Sequence, residues 1–112
     1  ADLFTADGSW TGPGVSMVGR DEIRAGFFRR QAVARRQSRH LCTNVLIRVE
    51  GDEATGLCYL LNFRHDSSTG VAELPAPSGF PKYVGEYHDH FVRTPDGWRF
   101  ATRRFDLAFL RD

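Results

Sequence analysis

Histidine, asparagine and arginine side chains interleaved with apolar residues are what could do chemistry in this sequence. His40 opens the apolar segment Leu41–Val49, and His88 and His90 stand two apart in a later one. Side chains of an extended strand alternate between faces, so Glu86, His88 and His90 share one face, and Tyr87, Asp89, Phe91 and Arg93 take the other. By the same alternation His40, Cys42 and Asn44 lie together, and Asn62 and Arg64 close the even-numbered face of residues 54–65. Polar groups at positions that would otherwise be apolar cost free energy unless they are paired or wet. Taken singly, each histidine also reads as a hydrogen-bonded or exposed structural residue. Taken as a set whose faces converge, they line a concave polar pocket with imidazoles ready to act as acid or base near neutral pH.

Other chemistries fit less well. The pair His88-x-His90 projects two imidazoles from one face and could take Zn²⁺ or Fe²⁺ with a carboxylate, but no spaced third ligand completes the set, so no metal is expected. Cys42 and Cys58 sit amid apolar residues, where buried inert thiols are the expectation rather than nucleophiles. No glycine-rich phosphate loop, dinucleotide fingerprint or serine elbow is present, and no cofactor is expected. Seven of the fourteen arginines fall between Arg20 and Arg39, giving that span a net charge of +5 against −4 for the remainder. The chain as a whole is near neutral at +1, without basic–aromatic interleaving, so a solvated helix face is expected there and no nucleic acid.

The elements that must position these residues follow from length and pattern. At 112 residues the chain has room for one domain, spanning 1–112, with 41% hydrophobic and 12% aromatic residues to build a core. No apolar run is long enough to span a membrane. No basic stretch followed by an apolar one opens the sequence, and two cysteines make no disulfide framework, so the expected setting is a reducing cytoplasm. Residues 1–8 read as the last turn of a helix ending at Gly8, with an upstream helix missing. Ser9–Thr11 reads as a short strand before the Gly12–Pro13–Gly14 turn. A helix is expected from Arg20 to Gln37, on the spacing of Ile23, Phe27 and Ala34, with Phe28 widening the stripe. Strands follow at Leu41–Val49, Ala54–His65, Lys82–Thr94 and Trp98–Leu110. Tight turns stand at Gly51–Asp52 and Pro95–Gly97, and a long loop covers 66–81. The fold class is therefore α+β, one helix on a large, strongly bent antiparallel sheet. Residues 54–65 are apolar on both faces, which calls for two covers, one from helices and one from a second subunit.

The segments LFTADGSW, VGRDEIRAGF, RHLCTN, GDEA, VGEYHDHF and DGWRF, in this order, resemble the SnoaL-like polyketide cyclase/dehydratase family of the nuclear transport factor 2-like superfamily. The resemblance covers essentially the whole chain. It implies a cone of curved sheet closed by helices, a small organic ligand, and a homodimer. It also implies dehydration, isomerisation or cyclisation by proton transfer on a cyclic or polyketide-like substrate. The alternative is a non-catalytic binder or accessory subunit, like the dioxygenase β subunits of the same superfamily. In the dehydratase branch a histidine at the start of the first long strand is the acid/base, and His40 occupies that position. His88 falls where that branch carries a pocket asparagine, and a second dehydratase histidine would fall near Arg64. The branch's catalytic Tyr and Asp come from a first helix that these residues do not include. The expected site is therefore His40 and His88 as catalytic groups, with Asn44, Asn62, Arg64, Glu86 and His90 contacting substrate.

Overall fold

The computed structural model describes all 112 residues, Ala1–Asp112. Its elements are β1 (Phe4–Gly12), β2 (Val15–Val18), α1 (Arg20–Gln31), β3 (Arg36–Glu50), β4 (Glu53–Asp66), β5 (Tyr83–Thr94) and β6 (Gly97–Leu110). The strands form one curved six-stranded sheet in the order β2-β1-β6-β5-β4-β3. From β3 to β6 the chain is an antiparallel meander, as the turn residues dictate. The sheet is mixed rather than wholly antiparallel, because β1 runs parallel to β6.

The amino terminus differs most from expectation. Residues 4–12 form a strand, not a helix end. Gly8 lies in an irregularity of the β1–β6 pairing, where an added Cβ would meet the carbonyl oxygens of Thr5 and Phe100 at 3.1 and 3.2 Å. Its glycine serves close backbone approach in a sheet, which in sequence looks the same as a helix stop. The helix is also shorter than its pattern suggested, ending at Gln31. Arg36 instead pairs with Asp66 in the β3–β4 ladder, donating from Nε and Nη2 at 2.8 and 3.2 Å. Arg36 and Arg64 together hold the Asp66 carboxyl at about 2. The 35–38 stretch offers the helix no apolar group, so ladder and ion pair decide its conformation.

Helix α1 packs over the β1–β2 end of the sheet, burying Ile23 against Phe4 and Met17, with Trp10, Phe27 and Phe100 at the margin. Arg20 ties it down by donating to the Phe4 carbonyl oxygen at 2.7 and 3.0 Å. A second core of Cys58, Leu60 and Tyr87, flanked by Tyr83 and Phe105, lies on the same inner face farther along the sheet. Phe28, expected to widen the apolar stripe, is exposed. The radius of gyration is 15.6 Å. That exceeds the roughly 13 Å of a compact chain this long, because the sheet curves without closing.

Candidate functional site

Strand register decides which side chains meet. In the β3–β4 ladder His40 lies opposite Asn62 and Cys42 opposite Leu60; in the β4–β5 ladder Asn62 lies opposite Tyr83, Leu60 opposite Gly85 and Cys58 opposite Tyr87. Even-numbered residues of β4 thus share the inner, helix-side face with odd-numbered residues of β5. His40 and Asn62 are brought together there. Glu86, His88 and His90, expected in the same pocket, stand on the outer face. His88 Nε2 meets Glu86 at 3.0 Å and Asp106 at 3.3 Å, and His90 Nε2 meets Glu53 at 3.2 Å.

Asn44 and Arg64 are placed differently from the simple alternation. A bulge between Thr43 and Leu46 interrupts β3, and Asn44 occupies it with φ 54°, its Oδ1 accepting from Thr43 Oγ1 at 3.1 Å. Asparagine tolerates this left-handed conformation better than most residues, which suits it to the bulge. Arg64 lies on the inner face, but its guanidinium donates to Asp66 at 3.2 and 3.3 Å.

The inner face gathers one compact polar group. His40 Nε2 lies 3.0 Å from Tyr83 Oη, 3.4 Å from Arg30 Nη2 and 3.4 Å from Asn62 Nδ2. Arg and the Asn amide nitrogen can only donate, so Nε2 is the unprotonated acceptor, Tyr83 O–H donates to it, and the ring proton sits on Nδ1. Burial, and after it the Arg30 charge, push the His40 pKa below its ordinary value, which keeps the ring neutral. Asn62 is 0% exposed; its Nδ2 donates to Ser38 Oγ at 2.9 Å and the Arg39 carbonyl at 3.3 Å, while its Oδ1 has no partner. A buried acceptor left unmade costs about 1–3 kcal/mol.

Beside this group lies a cavity of about 480 Å³, walled by Trp10, Phe27, Leu60, Tyr83, Tyr87 and Phe105, with Arg29 and Arg30 also among its lining residues. That volume suits a small organic ligand. Tyr83 and Arg30 are the side chains common to the cavity wall and the His40 group, and of the two only the Tyr83 hydroxyl can both accept and donate a proton. Sequence reasoning missed Tyr83 and Arg30; only the register and the helix position make them neighbours of His40. Cys58, on the same face, has its thiol pushed up to about 11, first by burial and then by Cys42, which leaves it a protonated, weak nucleophile. Cys42, expected to be buried, is exposed.

Comparison with known proteins agrees with this architecture. The family described as SnoaL-like domain matches residues 1–104. No curated protein matches the chain. A protein of unknown function from Mycobacterium tuberculosis is similar at 28% identity and a TM-score of 0.77, over 97% of this chain and 58% of its own. A nuclear transport factor 2-like protein with a cystatin-like fold from Novosphingobium aromaticivorans is similar at 28% identity and a TM-score of 0.76, over 95% of this chain and 65% of its own. A provisionally assigned scytalone dehydratase from Novosphingobium aromaticivorans shares the fold at 22% identity and a TM-score of 0.75, over 96% of this chain and 68% of its own. The chain thus spans about three-fifths of the first two relatives. No helix in it is long and apolar enough to cross a membrane.

Proposed function

Because this chain belongs to the SnoaL-like domain family and has the nuclear transport factor 2-like fold, we propose that it performs proton-transfer chemistry on a cyclic or polyketide-like organic substrate. Dehydration, isomerisation and cyclisation all begin by moving a proton next to a carbonyl. The observation that carries the reading is the 3.0 Å contact between His40 Nε2 and the Tyr83 hydroxyl, with Tyr83 in the cavity wall. Tyr83 takes the substrate proton as its own passes to His40, and the reverse transfer makes the same pair an acid. The free thiols Cys42 and Cys58 suit a reducing cytoplasmic setting. The assembly we propose is a homodimer joined through the outer sheet face.

The experiment is exchange of α-protons of cyclic ketones in D₂O, with turnover of cyclic β-hydroxy ketones measured alongside. His40→Gln and Tyr83→Phe are each expected to slow both by on the order of 100- to 10,000-fold, with ligand affinity changed far less. Retention of rate within a few-fold in both variants rules the mechanism out.

A second reading, a binder or accessory subunit without chemistry, draws support from the three donors crowded on His40 Nε2, an arrangement that also suits a purely structural imidazole. Ligand binding without exchange in the wild-type protein would favour it.

A further inference from the structure

The cavity has an electrostatic signature that the proton-transfer reading does not use. Its ionisable lining residues are Arg29, Arg30, Tyr83 and Tyr87, and no carboxylate is among them. Six of the fourteen arginines pair with an acid, Arg24, Arg36, Arg64, Arg93, Arg103 and Arg104, and Arg29 and Arg30 are among the eight that do not. Arg30 donates only to neutral groups, Ser38 Oγ at 3.3 Å and His40 Nε2 at 3.4 Å. The buried acid on this face, Asp89, is neutralised by a two-pronged pair with Arg103 at 2.8 and 3.0 Å. Burial holds the Tyr87 phenol protonated, its pKa raised to about 12. The cavity lining therefore includes two exposed guanidinium groups without an acidic partner, and no carboxylate.

Trp10 adds one polar atom to this wall. The Trp10 indole N–H is buried without a partner, a donor with no acceptor. The apolar body of the cavity is aromatic: Trp10 and Phe27 meet edge to face with centroids 5.3 Å apart, and Phe105 lies 5.4 Å from Tyr83. Flat rings stack well on such walls, and a carboxylate matches a guanidinium fork.

We propose that this cavity selects planar aromatic carboxylates, the rings lying among Trp10, Phe27 and Phe105 and the carboxylate meeting Arg30 and Arg29. The proposal rests on the reading of this cavity as the ligand site and adds the charge of the ligand to it. An organic acid is favoured over its neutral ester because only the acid offsets the two guanidinium charges. Charge-assisted pairing of this kind gives a preference of roughly tenfold or more.

The test is titration of ¹⁵N-labelled protein with 2-naphthoate and with methyl 2-naphthoate, followed by the two tryptophan indole resonances. Trp98→Phe assigns them, since Trp10 and Trp98 are the only tryptophans. The expected result is that 2-naphthoate moves the Trp10 signal, binds at least about tenfold more tightly than the ester, and weakens as salt rises. Arg30→Gln and Arg29→Gln should each reduce the preference; Arg29 makes no contact with His40, so its variant separates charge from disturbance of that group. Equal affinity for acid and ester, unchanged in both variants, overturns the charge selectivity while leaving the cavity as a ligand site. Binding of neither compound at the Trp10 signal overturns both.

Discussion

At His40 the surroundings fix tautomer and charge together. A free imidazole titrates near 6.5, and burial and the Arg30 guanidinium both disfavour its protonated form. The sign follows directly. A folded-state pKa below the unfolded value means acid protonates the unfolded chain more readily, so this residue's stability contribution is present above 6.5 and is lost as pH falls. A general base must be neutral, so kcat/KM for the proposed reaction should rise with pH through a midpoint below 6.5 and run flat across neutrality. Arg30→Gln removes the cation and leaves the burial, so its midpoint should move up toward the free value. A pH–rate profile of both proteins checks this. A rate that falls with rising pH excludes the base role, and a midpoint that Arg30→Gln leaves in place assigns the shift to burial alone.

At the scale of the element, the β5–β6 hairpin shapes the cavity wall through a missing side chain. Gly85 faces inward between Leu60 and Leu107, and an added Cβ would collide with the Phe105 ring and the Asp106 carbonyl oxygen. The absent methyl lets Phe105 lie across the strand, where it packs on Tyr83 and on Tyr87, with centroids 5.4 and 5.7 Å apart. Gly85→Ala should cost about 1–3 kcal/mol, seen as a lowered Tm, and should also displace Phe105 from the cavity wall. Gly79→Ala, in open space on the long loop, is the control and should change stability by no more than about 0.5 kcal/mol. Equal Tm values for the two variants would show that the Phe105 ring and the β6 backbone at Asp106 both give way freely.

For the whole molecule, exposed apolar side chains on the outer face of the sheet ask for a partner. Leu41, Leu46 and Tyr59 are 49%, 52% and 46% exposed, and the ladder places them on the face opposite Asn62. They continue into Leu57 and Leu61 on the same side of β4. Beside them stands a patch of both signs, Glu86, His88, Arg104 and Asp106, which a two-fold copy can meet with opposite charge. We expect sedimentation velocity at tens of micromolar to give twice the 12.7 kDa chain mass for the wild type. Leu46→Arg or Tyr59→Arg should return the monomer with its circular dichroism spectrum unchanged. A 12.7 kDa species in the wild type counts against this assembly.

The sequence by itself determined the run of strands from β3 to β6 and the turns between them, because β-branched alternation and the Gly51–Asp52 and Pro95–Gly97 punctuation act over a few residues. It also determined that residues 54–65 are apolar on both faces and that the chain resembles the SnoaL-like family. Within a strand it showed which side chains share a face, and the even-numbered grouping of Glu86, His88 and His90 held. Only the tertiary structure decided which face of one strand joins which face of the next. Pairing Asn62 with Tyr83 sets even residues of β4 beside odd residues of β5, so Tyr83 meets His40 and His88 turns outward. A register one residue different would have exchanged the two sets. The parallel pairing of β1 with β6, the bulge at Asn44 and the early end of α1 were likewise decided by ladders between segments far apart in sequence. Local propensity carries no information about such partners, since the free energy that selects them comes from contacts that exist only after the chain has folded.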